Sequence, residues 1–185
     1  MSASVTRLTL ISHGMTAAMR TARFPADEPL DELPRGAASP VAPRADRALA
    51  APELRAAATA TLLALGATTE PDLRDLDCGD WAGRPIDALE PAELTAWMSD
   101  PGYRGHGGEA ITDLLDRVRG WLESVAADRC RIVAITHPAV VRASVLLALA
   151  APPESFWRID IQPLSATTLH GRGAAWTVRH TANPL

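Results

Sequence analysis

The chain has 185 residues, 47% of them hydrophobic, enough for one well-buried core and too few for two full domains without an evident linker, so a single domain over residues 1–185 is expected. Its 18 basic and 22 acidic residues give a net charge of -4 and are scattered without any lysine- or arginine-rich run, which argues against nucleic acid or a membrane surface as a partner. Two cysteines, Cys78 and Cys130, with no CxxC pair, speak against a disulfide framework or structural zinc, and no apolar run is long enough for a signal-peptide core or a membrane span, so a cytoplasmic protein is expected.

Residues 5–11 (VTRLTLI) form a short run rich in leucine and β-branched residues that stops at Ser12-His13-Gly14. This predicts a buried strand that empties into a loop. Five prolines between residues 25 and 43 (Pro25, Pro29, Pro34, Pro40 and Pro43) remove backbone donors and exclude a long helix, so a loop is expected there. Residues 51–65 (APELRAAATATLLAL) predict a helix, with Pro52 in the first turn and Gly66 just past the end. Residues 75–84 (DLDCGDWAGR) suit a surface loop, and residues 91–98 a short helix.

Ile111, Leu114, Leu115, Val118, Trp121, Leu122 and Val125 fall on one helical stripe, which places Glu109 just ahead of that helix after Gly107-Gly108. Residues 131–136 (RIVAIT) repeat the first pattern, an apolar strand that opens into His137-Pro138 and a new apolar helix through Ala150. Residues 166–169 and 175–178, around Gly171 and Gly173, predict a terminal hairpin. Strands alternating with helices before a hairpin predict a three-layer α/β/α sandwich with a mostly parallel sheet.

Two strands thus each deliver a histidine at the C-terminal end. In open α/β sheets ligands bind beyond the carboxyl ends of strands, and helix N-termini there attract anions. A lone histidine is more often structural than catalytic, but two at matching strand ends favour a site.

Several ordered blocks carry a resemblance. They are residues 8–16 (LTLISHGMT), Pro52-Glu53-Leu54-Arg55-Ala56 with Thr59 and Ala60, residues 73–83 (LRDLDCGDWAG), Gly107-Gly108-Glu109, and Ile135-Thr136-His137 with Val141-Arg142. Together with the terminal hairpin they resemble the histidine phosphatase superfamily, with the phosphoglycerate-mutase-like fold and nearest the broad-specificity and α-ribazole phosphatase branch. The resemblance implies that His13 attacks phosphorus and becomes phosphohistidine, and that Arg55 clamps phosphate oxygens through its planar fork. It further implies that His137 donates a hydrogen bond to the phosphoryl group and that Asp75 supplies the proton for the leaving alcohol, with Asp77 and Asp80 close enough in sequence to compete for that role. Ser12, Gly14, Thr16, Arg20, Pro138 and Glu109, unless Glu109 instead caps the helix it precedes, would complete the phosphate and substrate contacts. The substrate would be a small phosphorylated molecule, and no cofactor or metal is expected because imidazole and guanidinium groups supply the chemistry.

Two departures bear on activity. Ser12 stands where the family carries an arginine beside the nucleophile, and loss of such a charged contact costs on the order of 2–4 kcal/mol of transition-state stabilisation. Met19 stands where the family carries an asparagine, and the following Arg20 is the expected replacement for the lost charge. The chain therefore reads first as a phosphomonoester hydrolase. The alternative is a weak or inactive relative that binds phosphorylated ligands or a protein partner, and a phosphoglycerate-type mutase is the third reading.

Overall fold

The computed structural model describes residues 5–31 and 40–185. A six-stranded sheet has the order β3-β2-β4-β1-β5-β6, built from β1 (Thr6–Ser12), β2 (Arg47–Ala50), β3 (Thr68–Thr69), β4 (Arg131–Thr136), β5 (Ser165–Arg172) and β6 (Ala175–Pro184). The first four strands run parallel, and β5 joins β1 antiparallel. The helices are α1 (Ala17–Arg20), α2 (Leu54–Leu62), α3 (Pro91–Ser99), α4 (Ile111–Val125) and α5 (Pro138–Leu149). They complete the three-layer α/β/α architecture. No helix among the described residues is long and apolar enough to cross a membrane.

The two histidine-bearing strands are the central neighbours β1 and β4. Leu8, Leu10, Ile11, Ile132, Ala134 and Ile135 are fully buried, which is why both strands read as nearly continuous apolar runs. The seven stripe residues of α4 are all buried, and α4 packs on α5. Pro138 opens α5 at its first position, where a missing N–H costs nothing.

Three local readings change. The expected helix over 51–65 is shorter, because the Ala51 N–H donates to the Ile135 carbonyl at 2.8 Å and so extends the sheet. At its other end Ala64 takes a left-handed φ of 51°, closing the helix before Gly66. Residues 47–50, between the proline-rich loop and the expected helix, form β2 although RALA favours a helix. Pairing with β4 on one side and β3 on the other decides it. Of the proline-rich stretch, residues 32–39 lie outside the described residues, and the rest contains neither helix nor strand. The hairpin is longer than expected and turns at Gly173, whose φ is +59°.

Candidate active site

The chain leaves β1 toward β2 on one side of the sheet and leaves β4 through α5 toward β5 on the other. A crevice therefore opens at the carboxyl ends of these two strands. In register, Ser12 lies beside Thr136, and the His13 N–H donates to the Thr136 carbonyl at 2.9 Å. The His13 and His137 rings consequently meet with centroids 5.1 Å apart.

His13 lines a cavity of about 170 Å³ with Thr16, Asp75 and Pro138 among its walls. Its Nδ1 lies 2.7 Å from the Gly14 carbonyl. Because a carbonyl only accepts, that nitrogen carries the proton and Nε2 keeps its lone pair. Burial, followed by the neighbouring His137, lowers the pKa of His13 to about 4 against the opposing pull of Gly14 and Asp75, so the imidazole is neutral near pH 7.

Arg55, 2% exposed, sits behind the wall in the first turn of α2. Its Nη2 donates to Asp75 Oδ2 at 2.7 Å, its Nη1 to the Ala26 carbonyl at 2.5 Å, and its Nε to His137 Nδ1 at 3.2 Å. Since Arg55 Nε can only donate, His137 carries its proton on Nε2, 2.8 Å from Glu53 Oε2. The N–H that the resemblance assigns to a phosphoryl group is therefore given to Glu53 in this arrangement. Burial would raise the Asp75 pKa, but the neighbouring His137, the Arg55 guanidinium and His13 outweigh it and hold the carboxyl below its usual range. For Glu53 burial is likewise outweighed, here by the hydrogen bond from His137, and its pKa is also lowered. Among the described residues no group of three or more His, Cys, Asp or Glu side chains is arranged to hold a metal ion.

Several expected contacts are corrected by this geometry. Arg20 does not reach the cavity: its side chain is 64% exposed and pairs with Asp31, facing a separate depression with Met15, Leu30 and Leu164. Gly14 lies on that same depression, its N–H donating to Thr59 Oγ1 at 3.0 Å. The fully buried Ser12 hydroxyl has no partner among the described residues and is not on the cavity wall. Glu109 neither caps α4 nor faces the cavity. It forms a two-pronged ion pair with Arg117 at 2.9 and 2.7 Å, and Arg117 also donates to the carbonyls of Asp72, Arg74 and Asp75. Thr16 caps α1 through its hydroxyl and lines the cavity, as does Pro138.

The cations that do line the cavity are Arg23 and Arg142. Arg142 was legible in principle, because it follows Pro138 by four positions on α5 and so shares its face. Its Nε donates to the Ile159 carbonyl at 2.7 Å, and burial lowers its pKa. Glu28 also lines the cavity, 4.0 Å from Arg55 Nη1. Glu53 carried a weaker signal, an acid two residues ahead of Arg55 at the N-terminus of a helix.

The family model of the histidine phosphatase superfamily (branch 1) matches residues 8–184. The chain belongs to that superfamily. Phosphoserine phosphatase 1 of Hydrogenobacter thermophilus is 24% identical to this histidine phosphatase homologue over 102 residues, 52% of this chain and 48% of that protein. A bifunctional protein of Mycobacterium tuberculosis is 28% identical over 127 residues, 65% of this chain and 35% of that protein. The chain thus matches half or less of the length of these curated relatives. Among solved structures, a mycobacterial glucosyl-3-phosphoglycerate phosphatase superposes with a TM-score of 0.79 at 25% identity, covering 98% of this chain and 100% of that one. The Entamoeba histolytica phosphoserine phosphatase in complex with phosphoserine gives 0.80 at 18% identity, covering 96% of each.

Proposed function

We propose that this superfamily member is a phosphomonoesterase that acts on a small organic phosphate through a phosphohistidine intermediate at His13. The observation that carries the reading is the His13 ring itself. It is neutral, its Nδ1 proton is committed to the Gly14 carbonyl, and its Nε2 is free to attack. Attack on phosphorus forms the N–P bond and breaks the bond to the ester oxygen, which takes a proton as the alcohol leaves. Water then attacks the phosphohistidine and releases inorganic phosphate.

Asp75 is the proposed proton donor, and its resting state constrains how it works. Its carboxylate is ionised against Arg55. A phosphoryl dianion that takes over Arg55 removes this partner and adds a negative neighbour, both of which raise the Asp75 pKa. Proton uptake is thus coupled to substrate binding. The relatives named as phosphatases support hydrolysis rather than return of the phosphoryl group to a bound acceptor. The chemistry is proposed to run without cofactor or metal, in the cytoplasm.

A second reading, a weak or inactive homologue that binds phosphorylated ligands or a protein partner, draws on one specific observation. Arg55 is neutralised by Asp75 and His137 is tied to Glu53, while Ser12 supplies no charge. Hydrolysis of p-nitrophenyl phosphate by wild type, His13→Ala and Ser12→Arg separates the two. Activity in wild type that His13→Ala abolishes supports the hydrolase. No activity in wild type with a gain in Ser12→Arg supports the degenerate pocket.

A further inference from the structure

The organic part of the substrate is a separate question, and the inference about it rests on the hydrolase reading above. Phe24, Trp97 and Trp157 line the His13 cavity together. Trp97 packs on Trp157 with ring centroids 4.4 Å apart and on Phe24 at 5.4 Å. Behind them Trp81, 2% exposed, touches Phe24 at 5.2 Å and Trp97 at 5.9 Å. Phe24 is buried, whereas Trp97 and Trp157 are half-buried and keep ring surface uncovered.

Arg142 holds this wall in place. Its guanidinium lies over the Trp157 ring at 5.4 Å and the Phe156 ring at 5.8 Å, while its Nε is anchored on the Ile159 carbonyl. A cation over a ring and a rigid aromatic backing fix the tryptophan orientation before any ligand arrives. Uncovered indole surface inside a concavity gains most from a flat apolar group, which removes water from both partners.

We propose that Phe24, Trp97 and Trp157 form a leaving-group subsite for one flat ring, so that the substrates are phosphate monoesters of aryl-bearing alcohols rather than of short polyols. Arg142 is a positioning residue for Trp157.

2-Phenylethyl phosphate and ethyl phosphate release alcohols of similar acidity, so their comparison reports contacts with the organic part. The wild-type chain is expected to favour the phenylethyl ester by at least about tenfold in kcat/KM, with the ratio falling to within about threefold in Trp157→Ala and surviving in Trp157→Phe. The phosphonates that carry CH2 in place of the ester oxygen, 3-phenylpropylphosphonate and propylphosphonate, are not hydrolysed. Calorimetric titration of both into the wild-type chain tests the subsite without turnover, with the same preference expected. If Trp157→Ala fails to fold, Trp97→Leu reads the same loss.

Equal affinity for the two phosphonates, or no binding of either, overturns the subsite, as does a preference that survives Trp157→Ala. Phenylpropylphosphonate binding that depends on Trp157, with neither ester hydrolysed, upholds the subsite and removes the hydrolase reading.

Discussion

His13 ties catalytic readiness to the stability of the fold, and the coupling can be measured. The ring is 3% exposed, and its pKa falls from 6.5 to about 4 in the folded chain, burial being the largest cause. In the unfolded chain the imidazole binds a proton below about pH 6.5. Between that pH and about 4 the unfolded state therefore holds more protons than the folded one, and stability drops as the pH is lowered. For a single group with these two values the loss is about 2 kcal/mol from pH 7 to pH 5, approaching about 3 kcal/mol below pH 4. His13→Asn keeps an N–H for the Gly14 carbonyl and removes the titration. Guanidinium unfolding of both proteins at pH 7 and pH 5 gives the difference directly. His106 and His170 also have lowered pKa values, burial being the first cause in each, but both remain in the variant and cancel. The lowered carboxyl pKa values of Asp75 and Glu53 act at more acid pH, which makes pH 5 the useful lower limit. Wild type is expected to lose about 2 kcal/mol more than the variant. Parallel losses in the two proteins would refute the claim that His13 is held neutral by burial.

Two further outcomes follow from side chains whose roles changed. Arg117→Ala breaks a pair whose side chains are 8% and 10% exposed and frees the carbonyls of the segment that carries Asp75; thermal unfolding should register a loss on the order of 3 kcal/mol, because Glu109 keeps only its longer contact with the more exposed Arg74, at 3.7 Å. Arg20→Ala, by contrast, removes only an exposed pair with Asp31, so p-nitrophenyl phosphatase activity should stay within about twofold of wild type and stability within about 1 kcal/mol; a large loss of activity would return Arg20 to the site.

The element types followed from local signals wherever burial was two-sided or a stripe was long. Residues 6–12 and 131–136 are covered on both faces and so read as apolar runs, and α4 buries every residue its period singled out. β2 and the shortened start of α2 were not legible. Arg47-Ala48-Leu49-Ala50 has helix-favouring composition, and only the ladder to β4 makes it a strand. The candidate site divides in the same way.

By itself, the sequence determined that two histidines end two strands and that an arginine begins a helix, since strand period, glycine stops and helix caps are local properties. Tertiary structure alone decided which charges meet. The parallel register of β1 and β4 sets His13 against His137, and the fold carries Asp75 and Glu53 onto Arg55 and His137. It also turns Arg20 outward while Arg142 and three aromatic rings become the cavity wall. Coulomb and dispersion forces depend on distance in space, and no spacing along the chain encodes that distance for residues joined only through the folded sheet.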